Sequence, residues 1–201
     1  MFHIFPTNFV YWEKINDHER LKQKYFKIIQ DDLNKNKKKF ENDLKWNCEC
    51  KTSFFNEKSG LELFEDDFLN SVIWNPMDNM LNELQKIMNF PVPKSSNIFK
   101  IWYNTYEVGE WQEVHDHKTK STSICYSGIY ILELNEPNTT SFIDNRRIDC
   151  WNMDESISCF YTSDVNITEG SVILFPSELL HYVNPCKNNR TTISFNITST
   201  F

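Results

Sequence analysis

From Asn97 to its last residue the chain is a succession of short strand-like runs, and this constrains its fold more than any other feature. The runs read "FKIWYNTYEV", "WQEVHDH", "SICYSGIYILEL", "TTSFID", "SVILFP", "HYVNP" and "TTISFNITS". Gly, Pro, Asn or charge interrupts them, and no helical period crosses this half. Many short strands at close spacing predict a sandwich or barrel. The first half reads differently. Leu21, Tyr25, Ile28, Ile29 and Leu33 recur at helical spacing and predict a helix over 17–34. A second helix over 76–89 opens with Pro76 in its first turn and carries Met77, Leu81, Leu84 and Met88 on one stripe. Near the N-terminus "HIFPTNFVYW" reads as an edge strand or lead-in interrupted by Pro6, and "KWNCECKTSFF" is rich in strand formers. No repeat or low-complexity linker divides the chain. The expectation is a single domain over 1–201, mainly β with N-terminal helices (α+β). Residues 1–96 form a helical and strand support region, residues 97–201 the barrel core, and the helices pack on one sheet.

Composition narrows the function classes. The net charge of −7 argues against general nucleic-acid or anionic-membrane binding, since both need a basic face. The basic cluster Lys35–Lys39 follows a helical segment and reads as a solvated helix end. No apolar run approaches the roughly 20 residues of a membrane span, and the N-terminus lacks the pattern of a signal peptide. A cytoplasmic protein with reduced thiols is expected. The pair Cys48 and Cys50 has no second pair with which to complete a zinc site.

The chemistry-bearing residues cluster. In "GEWQEVHDHKTKSTS", strand alternation puts Glu113, His115 and His117 on one face, with Val114, Asp116 and Lys118 on the other. Two imidazoles at i and i+2 on an inward face aim at one point. A third, His181, follows a strand and a Pro-containing turn in "LFPSELLHYVNP". Arg190 opens the last strand, on which Thr192, Ser194 and Asn196 share its face. Polar groups on the inner side of a barrel need partners, and a metal with an anionic ligand would supply them. Gly109 and Gly170 read as turn positions with positive φ. Gly128, inside a strand, reads as a bulge or a close approach to a ligand.

This order, a His-x-His strand followed by a distant His and then an Arg, resembles the Fe(II)/2-oxoglutarate-dependent oxygenases. It is most similar to a branch of 2OG-Fe(II) oxygenases found in marine bacteria and tailed phages. The matching elements are "IWYNTY", "HDH", "YSGIYIL", "LFPSELLH" and "RTTISFN", with looser agreement at "IFPT" and "KWNCECKTSF". The resemblance implies a double-stranded β-helix (jelly-roll) barrel. It also implies an Fe(II) cofactor, 2-oxoglutarate as co-substrate and O2, with hydroxylation of a C–H bond and release of succinate and CO2. Carried over, His115 and His181 are metal ligands, and His117 stands where the wider superfamily has a carboxylate. Arg190 pairs with the distal carboxylate of 2-oxoglutarate, beside Thr192; Asn104, Tyr106 and Asn196 are further pocket residues, with Tyr106 reading equally as core packing. Three groups could join His115 and His181. Asp116 needs a bulge to turn inward, Glu113 reverses the family order, and His117 has the face, the spacing and the position. The segment 145–166 is an insertion with no counterpart in the family.

Two other functions fit the same residues. One is a cupin-like three-histidine metalloprotein that does not use 2-oxoglutarate, and the other is a non-catalytic jelly-roll binding module. The substrate expected for the enzyme is a small molecule or a peptidyl residue. The sequence carries no signal for a particular oligomeric state.

Overall fold

Strand alternation sorts the second half of the chain into two sheets that face each other. The computed structural model describes residues 8–35, 47–55, 59–118, 124–135, 140–144, 158–161, 165 and 167–201. Ten strands run in chain order: β1 (Tyr11–Lys14), β2 (Lys51–Thr52), β3 (Ser95–Tyr106), β4 (Gln112–His115), β5 (Ile124–Leu134), β6 (Thr140–Asp144), β7 (Ser158–Tyr161), β8 (Ser171–Pro176), β9 (Leu180–Val183) and β10 (Arg190–Thr200). Six form one antiparallel sheet in the order β1-β8-β5-β10-β3-β2, and four form the other in the order β4-β9-β6-β7. The two sheets make the jelly roll that the sequence predicts.

Each long strand of the larger sheet divides its residues between two environments. Ile101, Tyr103, Tyr130, Leu174, Ile193, Phe195 and Ile197 face outward into a core shared with the helices. Ile129, Ile131, Ile173 and Phe175 face inward and meet Phe142 of the smaller sheet, whose ring lies 4.9 Å from that of Phe175. Helices therefore cover the outer face of one sheet. α1 (His18–Lys35) buries Leu21, Tyr25 and Ile29 there. A one-turn helix α2 (Asp66–Phe68) and a π-helical segment (Leu69–Trp74) lead into α3 (Asn75–Met88), which buries Met77, Met80, Leu81 and Leu84. The chain leaves α3 at Asn89, in the left-handed conformation that Asn tolerates (φ 51°). No helix among the described residues is long and apolar enough to cross a membrane.

Four sequence expectations change. Among the described residues the N-terminal strand begins at Tyr11, on the sheet edge beside β8; residues 1–7, with Pro6 and all of "IFPT", lie outside the described residues. The helical turns over 66–74 had a signal in the spacing of Phe64, Phe68, Val72 and Ile73, which the sequence reading passed over. The insertion contributes β7, which pairs with β6 as the outermost strand of the smaller sheet; much of the rest of it lies outside the described residues. Gly128 pairs in regular register, without a bulge, and is not part of the cavity lining. It sits on the outward face, where an added Cβ would stand 2.2 Å from the Phe195 ring and 2.9 Å from Leu174.

Candidate metal centre

The site forms where the two sheets open. β4 and β9 are neighbours, and their register sets His115 directly opposite His181. β4 ends at His115, so His117 lies just beyond it, held by its own N–H on the Ser177 carbonyl at 2.8 Å. Ser177 belongs to the Pro-containing turn between β8 and β9, and its N–H donates to the Cys125 carbonyl of β5. One turn thus fixes both His117 and the approach to His181.

The three side chains converge. Ring centroids are 4.2 Å apart for His115–His181, 5.0 Å for His117–His181 and 5.4 Å for His115–His117. One ring nitrogen from each lies within 4.8 Å of the others. Each Nδ1 donates to an oxygen behind it: His115 to the Glu113 carbonyl at 2.7 Å, His181 to the Leu179 carbonyl at 2.9 Å and His117 to Asn196 Oδ1 at 2.7 Å. This pattern fixes the Nδ1–H tautomer and turns three Nε2 lone pairs toward one point. Ser127 Oγ lies 2.7 Å from Asn196 Oδ1 and 2.9 Å from both His117 Nδ1 and Ser177 Oγ, which completes a small polar cluster behind His117.

Electrostatics keep the set neutral. Burial lowers the pKa of all three, aided at His117 and His181 by the neighbouring imidazoles, and His117 falls to about 3. Neutral imidazoles with converging lone pairs suit a divalent transition metal, so the residues present fit such an ion.

A cavity of about 780 Å³ connects this centre to Arg190. Arg190 opens β10 opposite Tyr106 of β3 and Leu134 of β5 and is only 1% exposed. Its Nη2 donates to Thr140 Oγ1 of the facing sheet at 2.8 Å, and its guanidinium lies 5.4 Å from the Tyr106 ring centroid. Thr192, Asn104, Tyr106 and Asn196 line the same cavity. Asn196 is engaged with His117 rather than with the Arg190 end. The Asn104 side chain donates to Ser194 at 3.3 Å, and its buried Oδ1 has no hydrogen-bond partner among the described residues.

One feature departs from simple alternation. The β4–β9 register shifts between Gln112 and His115, so Gln112 rather than Glu113 shares the cavity with His115. Glu113 turns away and accepts from the Asn47 N–H at 3.0 Å. Asp116 is exposed at the rim, where its Oδ1 accepts from the Lys118 N–H at 3.1 Å. Gln112 is a residue that sequence reasoning missed. Its Oε1 accepts from Tyr106 at 2.9 Å and its Nε2 meets His115 Nε2 at 3.3 Å, the lone pair a metal would use.

Residues 100–196, just under half the chain, match the model of a protein family described as "Putative 2OG-Fe(II) oxygenase". This segment is similar to the 2OG-Fe(II) oxygenases. It holds the three histidines, Arg190 and most of the barrel. Solved structures extend the likeness in fold to nearly the whole chain. A Pseudomonas putida prolyl-4-hydroxylase is 11% identical over 96% of this chain and 93% of its own, with a TM-score of 0.58. A Trichoplax adhaerens prolyl hydroxylase, solved with a hypoxia inducible factor oxygen degradation domain peptide fragment, is 12% identical over 96% and 84%, with a TM-score of 0.60. The non-heme α-ketoglutarate-dependent carbocyclase SnoK from nogalamycin biosynthesis is 10% identical over 95% and 79%, with a TM-score of 0.63. No curated protein matches by sequence. The oxygenase fold is shared across these structures at identities that leave the substrate undetermined.

Proposed function

We propose that the chain is a non-haem Fe(II)- and 2-oxoglutarate-dependent dioxygenase that hydroxylates a C–H bond and releases succinate and CO2. In this reading residues 97–201 are the catalytic core of one oxygenase domain that spans 1–201. The observation that carries the proposal is the cavity with three oxygen-backed imidazoles at one end and a buried guanidinium at the other. His115, His117 and His181 would hold the iron through Nε2. Bound Fe(II), with 2-oxoglutarate and O2, supplies the oxidative chemistry.

The protein's own residues do the rest. Arg190 presents a planar fork matched to the distal carboxylate of 2-oxoglutarate, a pairing worth more in a buried site than at a surface. Thr192 and Asn104, paired in register on adjacent strands, line the same end of the cavity. Tyr106 holds Gln112 beside His115. Phe142 and Phe175 lie 5.8 Å and 4.8 Å from the His181 ring and shield it from water. Three neutral ligands leave the metal its full double charge, which a dianionic oxoacid offsets. A three-histidine metalloprotein without the oxoacid would have no use for a buried Arg190 in that cavity.

Succinate formation tests the proposal. It is expected to require Fe(II), O2 and 2-oxoglutarate together, and Arg190→Ala is expected to keep iron binding while losing most 2-oxoglutarate affinity. Undiminished succinate release by Arg190→Ala would refute the assignment.

A further inference from the structure

The histidines and Arg190 use only the inner part of the cavity. Its outer wall is aromatic. Phe54 packs edge-on against Phe55 (centroids 5.4 Å, 86°) and against Trp102 (5.0 Å, 72°), while Phe55 and Phe99 are 39% and 42% exposed at the rim. Such exposure costs hydration free energy unless a ligand covers the rings.

The strand is distorted to build this wall. Asn196 of β10 pairs with Lys100 and Ile197 pairs with Ile98, which leaves Phe99 as the extra residue of a β-bulge. A regular strand would send Phe99 and Lys100 to opposite faces; here both line the cavity. Lys100 Nζ lies 4.8 Å from the Phe54 ring centroid. Among the described residues Lys118 also lines the cavity, 3.4 Å from Glu178. An ammonium set over the edge of an aromatic wall is placed to meet an anionic group on a ligand that lies along the rings.

We propose that this outer half is the prime-substrate subsite and takes a small aromatic carboxylate, with its ring on Phe54, Phe99 and Trp102 and its anion at Lys100. The proposal rests on the oxygenase reading above, since it assigns that enzyme's substrate class. The concave shape and volume suit a small molecule rather than a protein surface.

The test uses the full chain, loaded anaerobically with Fe(II) and saturating 2-oxoglutarate so that the Arg190 end is filled. Phenylacetate, phenylacetamide and phenethylammonium are titrated in turn by calorimetry. Phenylacetate is expected to bind about tenfold more tightly than the neutral amide, as one partly buried ion pair allows, and the ammonium more weakly still. Lys100→Gln should bring the acid to the level of the amide, Lys100→Arg should preserve the preference, and Phe99→Ala should weaken acid and amide alike. The visible band of the Fe(II)–2-oxoglutarate complex should survive in all three variants. Equal binding of acid and amide, or an acid preference that persists in Lys100→Gln, overturns the proposal. Lys100-dependent binding of phenylacetate without a 2-oxoglutarate band overturns the oxygenase reading and supports the subsite.

Discussion

Every metal-facing imidazole has an oxygen behind it, and for His117 that oxygen belongs to a side chain that can be removed. Asn196→Leu deletes the acceptor of the His117 Nδ1–H. Losing such an orienting contact costs metal affinity, expected here as a fall of about 10–100-fold in Fe(II) binding, read by competition with a chromophoric chelator. Unchanged affinity would show that His117 is oriented without Asn196, by Ser127 Oγ and the backbone. His115, His117, His181 and Arg190 could be read from the sequence because alternation and turn position are local properties. Gln112 could not. Its place beside His115 depends on a register shift that no residue type announces. The polar cluster of Ser127, Ser177 and Asn196 was half legible: all three stand in the quoted motifs, but their contact joins three separate strands and turns.

The elements act through their junctions. Glu169, just before β8, accepts from Lys22 of α1 at 2.6 Å and from the Leu134 N–H of β5 at 2.8 Å, and lies 3.3 Å from His18 Nε2. It ties helix to sheet. Burial pushes its carboxyl up, but these three partners outweigh burial and hold it below the usual 4.5. A depressed carboxylate contributes stability that is complete above its unfolded value and lost as pH falls through the folded value. Glu169→Gln is therefore expected to lower stability by about 1–2 kcal/mol near neutrality, since hydrogen bonds to charged groups are lost. It should also flatten the decline of stability below about pH 4.5. Urea unfolding at several pH values checks both; an unchanged acid limb would remove Glu169 from the account. Gly128 tests strand packing. Gly128→Ala should lower stability by about 1–3 kcal/mol, because Phe195 and Leu174 must move. The sequence marked this glycine as special but not which face it served, because both readings predict a missing side chain.

Across the whole molecule, the larger sheet separates a structural core from a chemical one. Phe68 is fully buried on the helical side, 4.7 Å from Tyr25 and 4.8 Å from Phe64 by ring centroids. Phe68→Ala should cost about 3–5 kcal/mol of stability. Below the lowered melting temperature it should leave Fe(II) affinity intact; a parallel loss would mean that the two cores are coupled. The barrel and its supporting helices were legible because their hydrophobic periods differ. The pairing order β1-β8-β5-β10-β3-β2 was not, since distant strands meet through contacts no local pattern records. The central claim is that three histidines, with Asp116 outside, make an iron centre answering to 2-oxoglutarate. Its most direct test is an anaerobic titration of the Fe(II)-loaded protein with 2-oxoglutarate, followed by the visible metal-to-ligand charge-transfer band. The band should develop in the unaltered protein and in Asp116→Asn, and fail in His117→Ala. A band that survives in His117→Ala but is lost in Asp116→Asn would contradict the account.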